Sequence, residues 1–249
     1  MGSPPVLAGA LDTTRSPGGP LTSPARDGQR APARDGPNDT QRELRVALVG
    51  NPNTGKSTLF NALTGLRQKV GNFAGVTVER HEGRFRTAEG RPVLLLDLPG
   101  SYSLSAGSPD EAIALEVLLG RGKDVALPDV IVVVADAQHL ERNLFLTSQL
   151  LELGVPVVVA LNQIDMAAAA GIRVDVPELI HELGVTVIPT IAKRGEGIEA
   201  LKRAMALAPT LPAPSRRFAL PDAVEAALAP VTERLGAAGL PRDAAGMEA

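Results

Sequence analysis

From Leu44 onward, short runs of β-branched residues and leucine alternate with stretches whose apolar positions recur every three or four residues. That alternation marks βαβ units wound into a mainly parallel sheet. The runs predict strands at 44–49, 80–86, 92–97, 129–135, 156–161 and 186–189, with helices opening after Gly55, Ser108, His139, Asp175 and Glu196. The stretches 130–135 and 155–161 are apolar throughout rather than alternating, as strands covered on both faces must be. The polar turn Thr87-Ala88-Glu89-Gly90 is too short for a crossover, so the strands it joins are expected as an antiparallel hairpin at the sheet edge. The expected fold is α/β: a doubly wound sheet of six strands, helices on both faces, and one antiparallel edge strand.

The two ends of the chain read differently. Residues 1–43 are rich in Pro, Gly, Ala, Arg and Asp and repeat Pro-Ala-Arg-Asp-Gly at 24–28 and 32–36. So little apolar surface does not offset the entropy of ordering, and a disordered tail is expected. Residues 44–208 hold the α/β pattern, and 209–249 form a proline-rich linker followed by a helical stretch from Asp222 to Leu235. Pro230 is expected to kink or interrupt that helix. Its apolar residues Val224, Leu228, Val231 and Leu235 fall at three- and four-residue steps and call for a partner surface.

Composition narrows the chemistry. A length of 249 residues suffices for one α/β core with segments outside it, and a formal net charge of −3 without a basic cluster disfavours nucleic acid as a partner. There is no cysteine, which excludes disulfides and thiolate metal sites and fits a reducing cytoplasm. The histidines His81, His139 and His181 are scattered, as surface or packing residues are. The longest apolar runs fall well short of the roughly 20 residues that cross a bilayer.

Four strings at the ends of predicted strands carry the chemistry. Gly50-Asn51-Pro52-Asn53-Thr54-Gly55-Lys56-Ser57, with Thr58 behind it, follows an apolar strand and opens a helix, which is the phosphate-loop pattern in its required setting. Backbone N–H groups at such a turn converge on phosphate oxygens, Lys56 reaches the β- and γ-phosphates, and the Ser57 hydroxyl is placed for magnesium. The fold is therefore expected to be that of a P-loop nucleoside triphosphatase. Asp97-Leu98-Pro99-Gly100 ends a strand about 40 residues later, where a carboxylate can hold magnesium through water and the Gly100 N–H can meet the γ-phosphate. Asn162-Gln163-Ile164-Asp165 closes the fifth predicted strand at the carboxyl edge, where sheets of this kind bind ligands. The Asp165 carboxylate can accept from guanine N1–H and the 2-amino group together, a pairing adenine does not offer. Asn162 is expected at the purine edge, tying its loop to the phosphate loop. Ile191-Ala192-Lys193 follows the sixth strand, where the Ala192 N–H is expected to meet the guanine oxygen.

These strings resemble those of the translation-factor-related GTPases, and within them the cytosolic G domain of the ferrous iron transport protein B family. The likeness covers 44–207 and rests on the phosphate loop with Thr58-Leu-Phe-Asn-Ala-Leu-Thr-Gly65, on Gly71-Asn-Phe-Ala-Gly-Val-Thr-Val-Glu79, and on Asp97-Leu-Pro-Gly-Ser-Tyr-Ser-Leu104. The resemblance implies GTP hydrolysis with Mg2+, and a first switch made by Gly75, Val76 and Thr77. Thr77 would bind magnesium in the GTP state and let go afterwards, and Asn53 would be a ligand for a potassium ion. On this resemblance the catalytic set is Lys56, Thr77, Gly100 and Asn53.

The chain departs from the resemblance in places. Ser101 stands where many GTPases have a water-orienting glutamine, which implies slow intrinsic turnover. Gln163 stands where others carry lysine or methionine against the base, which implies weaker stacking and fast nucleotide exchange. The resemblance implies a helical domain and a long membrane portion beyond this chain. Either the chain is a fragment, or its membrane-embedded iron permease is a separate chain; in both cases it belongs at the cytoplasmic face of the membrane. The competing readings are a nucleotide-dependent binding switch with negligible turnover and a ribosome- or RNA-associated GTPase of the same branch. The acidic balance disfavours the second.

Overall fold

The computed structural model describes residues 42–73, 78–105, 107–121, 126–211 and 221–237. Residues 1–41 of the expected tail, the first-switch residues Gly75, Val76 and Thr77, and residues 212–220 of the expected linker lie outside them. The described strands are β1 (Leu44–Gly50), β2 (Gln68–Asn72), β3 (Glu79–Arg86), β4 (Pro92–Asp97), β5 (Val130–Asp136), β6 (Val157–Asn162) and β7 (Thr186–Pro189). The helices are α1 (Lys56–Thr64), α2 (Pro109–Leu118), α3 (Leu140–Leu151), α4 (Ile164–Ala169), α5 (Val176–Leu183), α6 (Ile198–Leu207) and α7 (Asp222–Ala237).

The strands form one sheet in the order β2-β3-β4-β1-β5-β6-β7. β4, β1, β5, β6 and β7 run parallel, while β3 pairs antiparallel with both β4 and β2. Alternate residues of β1 bury on opposite faces of the sheet, which explains why it is apolar from Val46 onward. Val46 and Leu48 pack with Leu59, Phe60 and Leu63 of α1 and with Leu201 and Met205 of α6. Ala47 and Val49 face the other way, into a core shared with Val117 of α2, Leu146 and Leu150 of α3, and Leu179 of α5. Burying such side chains from water on both faces supplies the main driving force for this layering.

Three features correct the sequence reading. The sheet has seven strands rather than six, and the hairpin of β3 and β4 is not the edge, because β2 lies outside it. Gln68-Lys69-Val70-Gly71-Asn72 has no hydrophobic run to betray a strand; it pairs through its backbone while Val70 stays 54% exposed. α4 follows directly from the string 162–165, which gave no helical period over so few residues. α7 runs through Pro230, so the expected interruption is absent. Ala226, whose carbonyl loses its usual N–H partner at Pro230, is solvent-exposed, so water can serve it.

Candidate functional site

The phosphate loop leaves β1 at Gly50 and enters α1 at Lys56. A Cβ on Gly50 would stand 2.7 Å from the Val134 carbonyl oxygen, so only glycine lets β1 lie this close to β5 at the turn. Gly55 has φ +84°, and a Cβ there would overlap the Asn162 side-chain amide. Asn53 also adopts a left-handed φ of 67°, one of few non-glycine residues to do so here. The Thr54 hydroxyl donates to Asn51 O at 2.9 Å and closes the loop on itself. Ser57 and Thr58 are exposed in the first turn of α1, where unpaired backbone N–H groups also lie.

Asn162 binds the surrounding loops together. Its amide is 3% exposed. Nδ2 donates to Thr54 O at 3.0 Å, while Oδ1 accepts from the Ala192 N–H at 3.0 Å and the Thr190 hydroxyl at 3.3 Å. The expected tie between the base string and the phosphate loop is thus present. The Ala192 N–H, expected at the guanine oxygen, donates to Asn162 in this structure. With no cis peptide bonds among the described residues, each N–H there points opposite the carbonyl before it, so Asn162's hold on Thr54 O turns the Gly55 N–H away from the base loop.

On the other flank, Lys56 forms an ion pair with Asp97, whose side chain is 11% exposed. The Leu98 N–H donates to Leu48 O at 3.0 Å and the Ser101 N–H to Gly50 O at 3.3 Å, drawing the end of β4 against the phosphate loop. Gly100 lies at van der Waals distance from Pro52, 3.4 Å from its nitrogen to the position of a Cβ. Pro99 is half-buried between them. The Ser101 hydroxyl is buried and engaged with Ser103 O and Glu111 Oε1.

Asp165 is 37% exposed beside Arg194, whose Nη2 lies 4.0 Å from Oδ2. Ile191 and Ala192 are buried and Lys193 is exposed. The structure therefore gathers residues 51–58, 97–100, 162–165 and 191–193 at the carboxyl ends of β1, β4, β6 and β7. Sequence reasoning missed Arg194, which is near Asp165 only through the fold, and Arg142, whose carbonyl accepts from Asn51 Nδ2 at 3.4 Å. It also missed Gln138, which donates to Gln163. None of these lies in a motif. The donor set fits a hard divalent cation: a hydroxyl at Ser57 and a carboxylate at Asp97 are oxygen ligands of the kind magnesium takes.

The family pattern described as ferrous iron transport protein B matches residues 44–205. The chain belongs to the ferrous iron transport protein B family. A curated member, the Fe(2+) transporter FeoB of Salmonella typhimurium, is 52% identical over 168 residues, covering 66% of this chain and 21% of that protein. The chain thus spans about a fifth of the length of the curated ferrous iron transport protein B relatives it matches. Among solved structures, the cytosolic domain of L. pneumophila FeoB is 42% identical with a TM-score of 0.73, over 81% of this chain and 84% of that one. A point mutant of S. thermophilus NFeoB bound to mGDP is 39% identical with a TM-score of 0.71, over 82% and 76%. These ferrous iron transport protein B structures share the P-loop nucleoside triphosphatase fold described above. No helix among the described residues is long and apolar enough to cross a membrane.

Proposed function

We propose that this chain is a G domain that binds GTP and GDP, hydrolyses GTP, and couples that cycle to ferrous iron uptake across the cytoplasmic membrane. The observation that carries this reading is the buried amide of Asn162, which joins a phosphate loop to the two loops that frame a purine base. A protein that bound phosphate alone would have no use for that joint. Support also comes from S. thermophilus relatives solved with GDP and mGDP. The partner is a membrane-embedded permease portion, whether on the same polypeptide or a separate chain, and the domain works at the membrane's cytoplasmic face. In this reading residues 44–208 are the G domain and 209–249 are a linker and a helical segment.

In the reaction, a water oxygen attacks the γ-phosphorus, the bond to the β-phosphate oxygen breaks, and GDP leaves with that electron pair. Lys56 neutralises charge on the β- and γ-phosphates, exchanging Asp97 for the nucleotide as its partner. The Gly100 N–H and the N–H groups of 53–57 bind phosphate oxygens. Ser57, Asp97 and Thr77 would hold Mg2+, which would screen the phosphate charge, and Asn53 would be a ligand for K+. Asp165 reads guanine, with Gln163 and Ala192–Lys193 along the base.

A binding switch with negligible turnover is the second reading, and Ser101 favours it: a buried hydroxyl engaged with Ser103 and Glu111 orients no water. Phosphate release from GTP, measured with magnesium in potassium and then in sodium buffer, separates the two. Faster release in potassium supports the enzyme reading with its second cation. Tight GTP uptake with no release in either salt sinks it and leaves the switch.

A further inference from the structure

We propose that Gln138 is a positioning residue that sets how fast guanine nucleotide leaves, acting through Gln163 on the phosphate loop. The inference rests on the nucleotide-binding reading above and adds to it a residue that belongs to no motif. Gln138 Nε2 donates to Gln163 Oε1 at 3.4 Å, and Gln163 Nε2 donates in turn to Asn53 O at 3.3 Å. The two bonds form a chain of amides from the turn after β5, across the loop after β6, to the middle of the phosphate loop.

Each link is held from behind. Asp136, 7% exposed, fixes the Gln138 turn by accepting its backbone N–H at 2.8 Å. Gln163 is fixed by a left-handed backbone, φ 62° and ψ 30°, at the start of α4. Asn53 is left-handed as well, with φ 67°, a conformation that a side-chain asparagine tolerates but does not lock. The amide of Gln163 supplies that lock. Because peptide bonds are trans, holding Asn53 O toward the base loop directs the Thr54 N–H the opposite way, beside the Gly55 N–H that Asn162 directs. Consecutive N–H groups pointing one way form an anion-binding concavity.

The logic follows from side-chain length and freedom. A glutamine amide on three rotatable bonds wanders, and a wandering donor spends little time on Asn53 O. Gln138 bonds the far side of that amide and orients its N–H at the phosphate loop. The charge on the phosphates is not touched by this chain of amides, so what it alters is how long the loop keeps its binding shape. The expected effect is on release rather than on base choice.

The test is release of a fluorescent GDP analogue, chased with unlabelled GDP in magnesium buffer, from the full chain and from Gln138→Ala, Gln163→Met and the double variant. Both bonds are near the long end of hydrogen-bond geometry, so release should quicken about threefold for Gln138→Ala and about tenfold for Gln163→Met. The double variant should match Gln163→Met, because Gln138 has nothing to act on once the amide is gone. Gln163→Lys, which can still donate to Asn53 O but accepts nothing from Gln138, should release faster than the unaltered chain and make Gln138→Ala silent in its background. A merely structural Gln138 would lower the melting temperature of the nucleotide-free protein in every background alike, and that result overturns the proposal. So do unchanged release from Gln138→Ala, slower release, or rates that multiply in the double variant. If the unaltered chain takes up no GDP analogue at all, the nucleotide reading falls and the brace falls with it; uptake with identical release from all variants removes the brace alone.

Discussion

Around Asn162, the loops on the base side are joined by a buried amide that uses both its donor and its acceptor, whereas the side-chain contacts that hold the segment 98–104 on the opposite flank are only partly buried. On the base side, Thr54, Thr190 and Ala192 all meet one side chain that is 3% exposed. On the other, the Ser101 N–H reaches Gly50 O at 3.3 Å, the Leu104 N–H reaches Gln149 Oε1 at 2.8 Å, and Tyr102, 41% exposed, lies under the Arg142 guanidinium. The ordering cost of the base side is met when the chain folds. The side-chain contacts of the other flank are partly solvated, so rearranging it costs less than undoing the Asn162 joint, and elements that respond to a ligand are drawn from such less firmly held regions. On the proposed function, a domain that keeps hold of a base while reporting the number of phosphates would need this asymmetry.

Lys56→Ala should produce the largest effect, because Lys56 serves both flanks, standing in the phosphate loop and pairing with Asp97 of β4. GTP affinity by titration calorimetry is expected to fall about 1000-fold, about 4 kcal/mol, since a charge-assisted contact to phosphate is lost. A loss under tenfold would mean that Lys56 belongs to the Asp97 pair alone and not to the ligand.

Asn162→Ala comes next and probes the base side directly. It strands the Thr54 carbonyl and the Ala192 N–H without partners; the Thr190 hydroxyl keeps Leu161 O at 3.4 Å. The expected loss is about 2–4 kcal/mol of folding stability, read from the denaturant midpoint at constant slope. Asp165→Ala should cost little stability, as the carboxylate is 37% exposed, but about 2 kcal/mol of the preference for GTP over ATP. Undiminished preference would remove Asp165 from base recognition.

How far these two flanks could be read from the chain depends on what each is made of. β5 and β6 were legible because burial on both faces demands uninterrupted apolar residues, and the phosphate loop because its glycines answer to steric limits at Gly50 and Gly55. β2 was not, since Gln68–Asn72 pairs by backbone and leaves no pattern in its side chains. The same holds for the joint at Asn162. Its place in a motif pointed to the phosphate loop, but its bond to the Ala192 N–H depends on a contact across 30 residues that only the β6–β7 register creates. Gln138 acts through one long-range side-chain contact and Arg142 through two contacts, all from ordinary surface residue types, and nothing in local spacing distinguishes them from solvated neighbours.

The smallest expected effect tests the weakly held flank. Arg142 contributes two unrelated contacts: its guanidinium lies 4.0 Å from the centroid of the Tyr102 ring, and its backbone carbonyl accepts from Asn51. Arg142→Ala deletes the first and keeps the second, so it isolates the cation–π contact. At an exposed site that contact stabilises by about 0.5–1 kcal/mol, and the denaturant midpoint should shift by no more than this. Tyr102 is the sole tyrosine, and the chain has no tryptophan, so intrinsic fluorescence reports this one ring. Acrylamide quenching should rise in Arg142→Ala as the ring loses its cover, while quenching in Asn162→Ala should stay as in the unaltered chain under native conditions. If Arg142→Ala instead destabilised the fold as much as Asn162→Ala, the two flanks would be equally braced and the segment 98–104 would have no freedom with which to sense a phosphate.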